Sequence, residues 1–456
     1  MKPETNSLPK NTRFPALDQH KNLRYFSFIA LYFSQGIPEG ITFFAIPAWM
    51  AINGKSAIEI ATYGAIIAIP FSFKIILAPM MERFTFLPMG RRRPWLLFGQ
   101  FGIFCSLIAL SFVPDPLNNI SFLIAAVVCV HVFIMFQDIA TDSLVIDIVP
   151  IEQQGKANSF MWGSKTVGIS ISLALGSWLI NQYGFSNAIL LMSISICCIM
   201  LIPLLLRERE GEKLLPWSSG TTSPEAALLK IDSWSKLFFS FKKVVLLPNT
   251  LLVCLIVFLS KCALDYLQTM LPIFSIQELG WNNLDYSNTY STSKLVGGII
   301  GMVIGGIIIA RFGAVRFFQI CLILVGLLTA SMGVFKVVWQ DAMYVSAFIA
   351  IFNLIYTLII ISQLATAMQV CWKRISALQF TFFMTLANVG MSAGAAFFGF
   401  IRSHFDWQII FLVFTLMVVV VAVLLQFLKM KTHLKQVAAL EKNYVENEAT
   451  LVNQAS

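Results

Sequence analysis

The 456-residue sequence predicts an all-α polytopic membrane protein, with twelve transmembrane helices arranged as two pseudo-symmetric six-helix halves. Three observations predict it. The chain is 57% hydrophobic with 40 Phe and only 12% charged residues, whereas a soluble domain carries about 25% charge. Apolar runs of about 20 residues, enough to cross a bilayer as helix, recur along the whole chain. An arginine and glycine cluster after the second run returns after the eighth. A barrel would show short alternating segments instead of continuous apolar runs.

The runs fall at 25–48, 58–80, 94–113, 121–149, 158–181, 186–206, 248–274, 288–310, 317–335, 343–371, 375–401 and 408–428. They define a tail over 1–24, a first half over 25–206, a central loop over 207–247, a second half over 248–428 and a tail over 429–456. With the amino terminus inside, 25 of the 32 Lys and Arg lie in inside segments. Lys55, Lys336 and Arg402 lie outside, and Lys74, Lys165, Lys261 and Lys294 lie within spans. The positive-inside rule therefore places both termini in the cytoplasm. The same topology accounts for the net charge of +9, so the expected partners are a small-molecule solute, protons and membrane lipids, with no nucleic acid. A polar N-terminal stretch with no apolar core argues against a removable signal peptide. The eight cysteines sit in or at the ends of spans as packing residues, and the four histidines lack paired ligand spacing, so no metal or cofactor is expected.

The repeat is local and exact in offset. Met81-Glu82-Arg83-Phe84 after the second span recurs as Ile309-Ala310-Arg311-Phe312 after the eighth, 228 residues later. Each copy precedes a glycine with further arginine, Gly90 to Arg93 and Gly313 with Arg316. Parallel repeats related by an axis along the membrane normal leave this trace.

Eight ionisable side chains lie inside the apolar runs: Glu39, Lys74, Asp138, Asp142, Lys165, Lys261, Asp265 and Lys294. Each costs about 2.5–3.5 kcal/mol at a bilayer centre on insertion scales, which marks them as functional. Depth along the helices sorts them into an inner group of Lys74, Asp138, Asp142 and Lys165 and an outer group of Lys261, Asp265 and Lys294. His131, Asp138 and Asp142 share one helical stripe within about 20°. Glu39 has no lysine at its own depth on a neighbouring span except Lys294, which makes it, with Asp138, the leading candidate to gain and lose a proton. Gly36, Pro38 and Gly40 are expected to break the first span beside it. Gly168, Ser172 and Gly176, and Gly297, Gly301 and Gly305, offer small-residue faces for close contact. Residues 230–243 interleave apolar side chains with four lysines, as in a helix lying on the inner leaflet or the ragged start of the seventh span.

The chain resembles the major facilitator superfamily, whose loop between helices 2 and 3 carries Gly-x-x-x-Asp-Arg-x-Gly-Arg-Arg. Here the acid is Glu82, Thr85 to Met89 are inserted before the Gly-Arg run, and Ala310 replaces the acid in the second copy. The resemblance implies a gate on the inner side built from Glu82, Arg83, Arg91, Arg92, Arg93 and Asp147, asymmetric because Arg311 lacks its acid. Within the superfamily, several runs resemble the AmpG muropeptide permease and acetyl-CoA transporter group. They are Phe33 to Pro38, Ser72-Phe73-Lys74, Ala78 to Arg83, Gly90 to Trp95, Gln137 to Asp142, Gly155 to Asn158, Gly163-Ser164-Lys165 and Ala377 to Phe380.

That resemblance implies that helices 1, 4, 7 and 10 line a central cavity. All eight charges lie on helices 1, 2, 4, 5, 7 and 8, and helices 10 and 11 add Asn353, Gln363, Gln379 and Asn388. The expectation is a monomeric, proton-coupled importer of a polar anionic solute in a bacterial inner membrane. Glu39, Asp138, Asp142 and Asp265 would handle the proton, and Lys74, His131, Lys165, Lys261, Lys294 and the four amides the solute. A muropeptide heads the candidates, ahead of a siderophore, a coenzyme-A-type anion or drug efflux. A membrane acyltransferase is disfavoured because His131 has no second catalytic group beside it.

Overall fold

The structure, a computed structural model, describes residues 15–281 and 283–455. The first fourteen residues of the expected N-terminal tail lie outside them. Eleven helices among the described residues are long and apolar enough to cross a membrane. In chain order they are helix 1 (Lys21–Ile52), helix 2 (Ile58–Arg83), helix 3 (Arg93–Ser111), helix 4 (Ile120–Ile148), helix 6 (Phe185–Leu205), helix 7 (Pro248–Gln277), helix 8 (Asn288–Phe312), helix 9 (Ala314–Val334), helix 10 (Ala342–Val370), helix 11 (Lys373–Arg402) and helix 12 (Trp407–Phe427). Helix 5 (Ile151–Tyr183) is equally continuous. Its first half is too polar to join them, carrying Glu152, Gln153, Gln154, Lys156 and Asn158. Large apolar side chains such as Phe101, Leu327 and Leu416 remain exposed on the helix surfaces, as hydrocarbon contact allows.

The chain divides into two compact units, residues 1–149 with 164–234, and residues 150–163 with 235–456. In the first, helix 3 packs on helices 4 and 6, helix 2 on 4, and helix 1 on 6. In the second, helix 9 packs on 10 and 12, helix 8 on 10, and helix 7 on 12. Each pairing repeats six helices later. The start of helix 5 groups with the second unit because Gly155 and Gly163 sit against Ile309 and Met302, and Asn158 Nδ2 reaches Met368 Sδ at 3.0 Å.

Close helix approach is set by glycine. A Cβ on Gly36 would meet Lys165 O at 2.5 Å, and one on Gly40 would meet Ile169 O at 2.5 Å, so helix 1 lies backbone to backbone on helix 5. The expected break at Gly36 to Gly40 is corrected here: the α-helix runs through Pro38, and the irregularity is a π turn over Ile41–Ala45. These glycines serve contact rather than kinking. In the second unit a Cβ on Gly394 would lie 2.1 Å from Cys262 O, and one on Gly390 2.4 Å from Phe258 O.

Two segments outside the long apolar helices are ordered. Trp234–Val245 is a separate helix, with Phe238 and Phe239 exposed, and Leu246 and Leu247 part it from helix 7. Met430–Ala455 is helical too, and it docks on the loop between helices 10 and 11. There Glu441 accepts from Arg374 Nη2 (2.5 Å) and Trp372 Nε1 (2.7 Å), and the buried His433 Nε2 donates to Val370 O at 2.8 Å.

Replacing Gly394 by valine forces helices 7 and 11 apart. Overpacking of this kind costs about 1–3 kcal/mol, and the expected result is a lower melting temperature of the detergent-purified protein, with Gly399→Val, at an open position, unchanged.

Candidate functional site

The charged residues within the apolar runs of the first unit make three pairwise contacts and act on one another electrostatically. Lys74 Nζ bonds Asp138 Oδ2, Lys165 Nζ bonds Glu39 Oε1 at 2.8 Å, and Tyr32 Oη donates to Asp142 Oδ1. The expectation that Glu39 lacks a lysine is corrected: the Gly36 and Gly40 contact brings helix 5 close enough for Lys165 to reach it. Lys165 thus pairs directly with Glu39, while its charge still acts on the helix 4 acids Asp138 and Asp142. Asp142 is left as the carboxyl whose short-range partner is a hydroxyl. Tyr32 was not singled out from sequence, although it lies seven residues before Glu39 and so on the same helical face.

In the second unit, Lys261 Nζ bonds Asp265 Oδ2 at 2.8 Å, one helical turn apart, and Tyr356 Oη at 3.3 Å. Lys294 stands over the Tyr290 ring at 5.6 Å, and Tyr290 stacks on Tyr286. No carboxylate among the described residues lies within 4 Å of Lys294. The two units thus differ in charge: three carboxyls meet two lysines in the first, and two lysines meet one carboxyl in the second.

The other expected solute ligands are placed unevenly. Asn353 and Gln363 are buried on helix 10, each with its side-chain oxygen unpartnered. Asn388 is half-buried on helix 11. Gln379 accepts from Trp372 N at 2.8 Å and donates to Val370 O at 3.3 Å. It caps the loop at the start of helix 11, where free backbone groups need partners. His131 is fully buried, with Nδ1 on Ile67 O and Nε2 on Thr42 Oγ1, so both ring nitrogens face protein groups.

The expected gate is a four-residue box. Glu82 Oε2 accepts from Arg91 Nη2 (2.5 Å) and Arg92 Nη2 (2.9 Å), and Asp147 Oδ2 from Arg92 Nε (2.9 Å) and Arg91 Nη1 (3.2 Å). These side chains are at most 1% exposed, whereas the lysine pairs of the two units keep 12–17%. The box is sealed and the pairs are reachable. Removing one partner of such a sealed set costs about 3–5 kcal/mol. Two of the expected gate residues lie outside the box. Arg83, about 100° around the helix from Glu82, stacks over Phe84 instead. Arg93 donates to the carbonyls of Pro203, Leu204, Lys213 and Leu214. Arg311 lies over Phe312.

The segment after helix 6 completes this region, and sequence spacing did not reveal it. Glu208 Oε1 accepts from the backbone N–H of Arg92 (2.7 Å) and Arg93 (3.2 Å). The approach needs Gly90, whose φ is +102° and whose Cβ would lie 2.1 Å from Glu208 Oε2. Glu212 accepts from Ser223 Oγ (3.0 Å) and Arg209 N (3.1 Å). Leu17 and Asp18 donate backbone N–H groups to Arg207 O and Glu208 O. Burial, reinforced by the Glu208 charge, pushes the Glu212 carboxyl up to about 8.

Among the described residues no three His, Cys, Asp or Glu side chains converge as a metal site. Apolar helices that carry paired but reachable charges define a polytopic membrane transporter. Residues 28–395 match the profile of the Major Facilitator Superfamily, and the chain belongs to that superfamily. It is a secondary active transporter and not an enzyme. It is 24% identical over 388 residues to the anhydromuropeptide permease of Escherichia coli (strain K12), covering 84% of this chain and 75% of that protein. It is 22% identical over 443 residues to putative transporter AmpG 1 of Rickettsia prowazekii (strain Madrid E), covering 88% and 96%. The fold is similar to that of the E. coli fucose:proton symporter FucP (TM-score 0.63, 14% identity, covering 89% of this chain and 98% of that one). It is also similar to a bacterial homologue of the iron transporter ferroportin in the outward-facing state (TM-score 0.65, 12% identity, covering 90% and 98%).

A carboxyl raised by burial binds a proton more tightly folded than unfolded, so its stabilising contribution is complete below the unfolded value and is lost as pH rises through the folded one. For Glu212 that window runs from 4.5 to about 8. The melting temperature is expected to fall across it, and Glu212→Gln to flatten the fall when melting is followed in detergent at several pH values.

Proposed function

We propose that this transporter imports a polar anionic solute of the muropeptide class, driven by protons, across the inner membrane of a bacterium. Twelve spans in two six-helix halves, with both termini cytoplasmic, would carry it by alternating access. The charge inequality between the two units supports this reading most directly. In the first unit, Asp138 and Asp142 lie one turn apart on helix 4, a spacing at which like charges oppose each other. Lys74 neutralises one and Lys165 is committed to Glu39. Neutrality in a low-dielectric site then assigns the proton to Asp142, with Tyr32 holding the carboxyl. This shifts the role from Glu39 and Asp138, the leading candidates from sequence.

In the second unit Lys294 offers the complementary charge. An ammonium with no carboxylate within reach binds an anionic group of the solute, while Lys261 is restrained by Asp265 and Tyr356. Asn353 and Gln363 present spare acceptors to hydroxyl or amide groups. The similarity to an anhydromuropeptide permease supports a sugar-peptide anion as the solute. The sealed box of Glu82, Arg91, Arg92 and Asp147 would hold one conformation and open in the other.

Purified protein in liposomes, given labelled anhydromuropeptide and an imposed pH gradient, tests the reading. Wild type should accumulate solute only with the gradient. Asp142→Asn should abolish accumulation while leaving solute exchange, and Lys294→Ala should raise KM roughly tenfold to a hundredfold, as for loss of a charged hydrogen bond. Uptake indifferent to the gradient, or undiminished in Asp142→Asn, removes the proton assignment.

A further inference from the structure

Helix 2 is interrupted just before Lys74. Its α-helical part ends at Ala68, and Ile69–Phe73 forms a 3₁₀ turn with Pro70 inside it. In such a turn each carbonyl pairs with the N–H three residues on. For Ile67 that residue is Pro70, which has no N–H. The Ile67 carbonyl instead meets His131 Nδ1 at 2.5 Å. A carbonyl only accepts, so Nδ1 carries the hydrogen and Nε2 of the neutral ring is the acceptor.

That second nitrogen reaches another interruption. His131 Nε2 lies 2.8 Å from Thr42 Oγ1, and Thr42 sits in the π turn that follows Glu39 in helix 1. Thr42 Oγ1 is also 2.7 Å from Pro38 O, so its single hydroxyl hydrogen is shared between that carbonyl and His131 Nε2, and the Thr42 carbonyl accepts from Tyr63 Oη at 2.9 Å. The imidazole stacks on Phe43, from the π turn, at 4.8 Å and packs against Phe71, from the 3₁₀ turn, at 5.2 Å. One side chain of helix 4 thus engages both irregular turns through both nitrogens and the ring. Each turn adjoins one member of the charged cluster, Glu39 or Lys74. Backbone groups freed within a membrane helix must be satisfied by neighbours, and here the neighbour is the helix that carries Asp138 and Asp142.

We infer that His131 is a positioning residue, tying the irregular turns of helices 1 and 2 to helix 4 and so fixing Glu39 and Lys74 relative to Asp138 and Asp142. Its consequence for transport rests on the proposed function; its consequence for the two turns does not.

Hydrogen–deuterium exchange of the purified full-length protein in detergent, with no solute present, tests the tie. His131→Phe keeps the ring and its stacking but removes both hydrogen bonds. Amides in segments 41–46 and 69–74 should then exchange roughly tenfold faster, with other segments unchanged. Pro70→Ala restores an N–H beside the Ile67 carbonyl. The double variant should therefore return segment 69–74 to the wild-type rate and leave 41–46 fast. Should His131→Phe fail to fold, His131→Gln, whose amide still donates to Ile67 O, is expected to keep 69–74 slow, and His131→Leu to release it. Unchanged exchange in both segments, uniform loosening of the protein, or no recovery on adding Pro70→Ala would overturn the assignment. In liposomes with anhydromuropeptide, His131→Phe should lower kcat roughly tenfold with KM within about twofold, because the buried ring touches no solute. If wild type does not carry anhydromuropeptide, the function reading fails while the exchange experiment still decides the role of His131.

Discussion

A charge placed in hydrocarbon persists only where an opposite charge or a hydrogen-bonding group meets it, because isolation in a low dielectric costs several kcal/mol. The helix contacts of the first unit follow from that requirement. Lys165 reaches Glu39 only because Gly36 and Gly40 let helix 5 lie directly on helix 1, and Lys74 reaches Asp138 across the interface of helices 2 and 4. The glycines and the charges are therefore one feature: side chains on the glycine face would part the backbones and strand both Glu39 and Lys165.

The same ionic chemistry appears at two levels of access, with different consequences. Glu82, Arg91, Arg92 and Asp147 are sealed from solvent, and their bonds are doubled, each arginine touching both acids. Glu208 then holds the backbone of Arg92 and Arg93 from behind. The lysine pairs within the helices each join one lysine to one acid and keep 12–17% of their side-chain surface exposed. In the proposed cycle the first arrangement suits a lock that defines a conformation, and the second suits partners exchanged as solute and proton arrive.

Beside the charged cluster of the first unit, irregular helix is answered by neighbouring side chains. The π turn of helix 1 and the 3₁₀ turn of helix 2 release backbone groups that Tyr63 and His131 take up, next to the residues on which transport is proposed to depend. The C-terminal helix serves the second unit similarly, with Glu441 and His433 occupying the loop between helices 10 and 11. Polar sequence after the last apolar helix is here a docked element whose charged groups face a loop with matching donors and acceptors.

Composition and hydropathic period determined that this chain is a bundle of membrane helices, since the number and length of apolar runs are properties of the sequence alone. The repeat of Arg83 and Arg311 carried the resemblance to the superfamily, and the run from Gln137 to Asp142 the resemblance to its AmpG-type group. The eight charges inside the apolar runs were likewise legible, because insertion cost depends on residue type and local hydrophobicity. Partner choice was not legible. Depth along a helix leaves its rotation undetermined, so Lys165 was matched to the helix 4 acids and Arg83 to Asp147, whereas packing of Gly36 on Lys165 and the 100° turn from Glu82 settled both otherwise. Thr42, Glu208 and Glu441 carry no signal in sequence because ordinary residues acquire these roles only through contacts across long separations, and Tyr32 carries only its helical spacing from Glu39. Residue type says what must be compensated; only the tertiary structure decides by whom, since compensation acts over a few ångströms between helices that lie far apart in the chain.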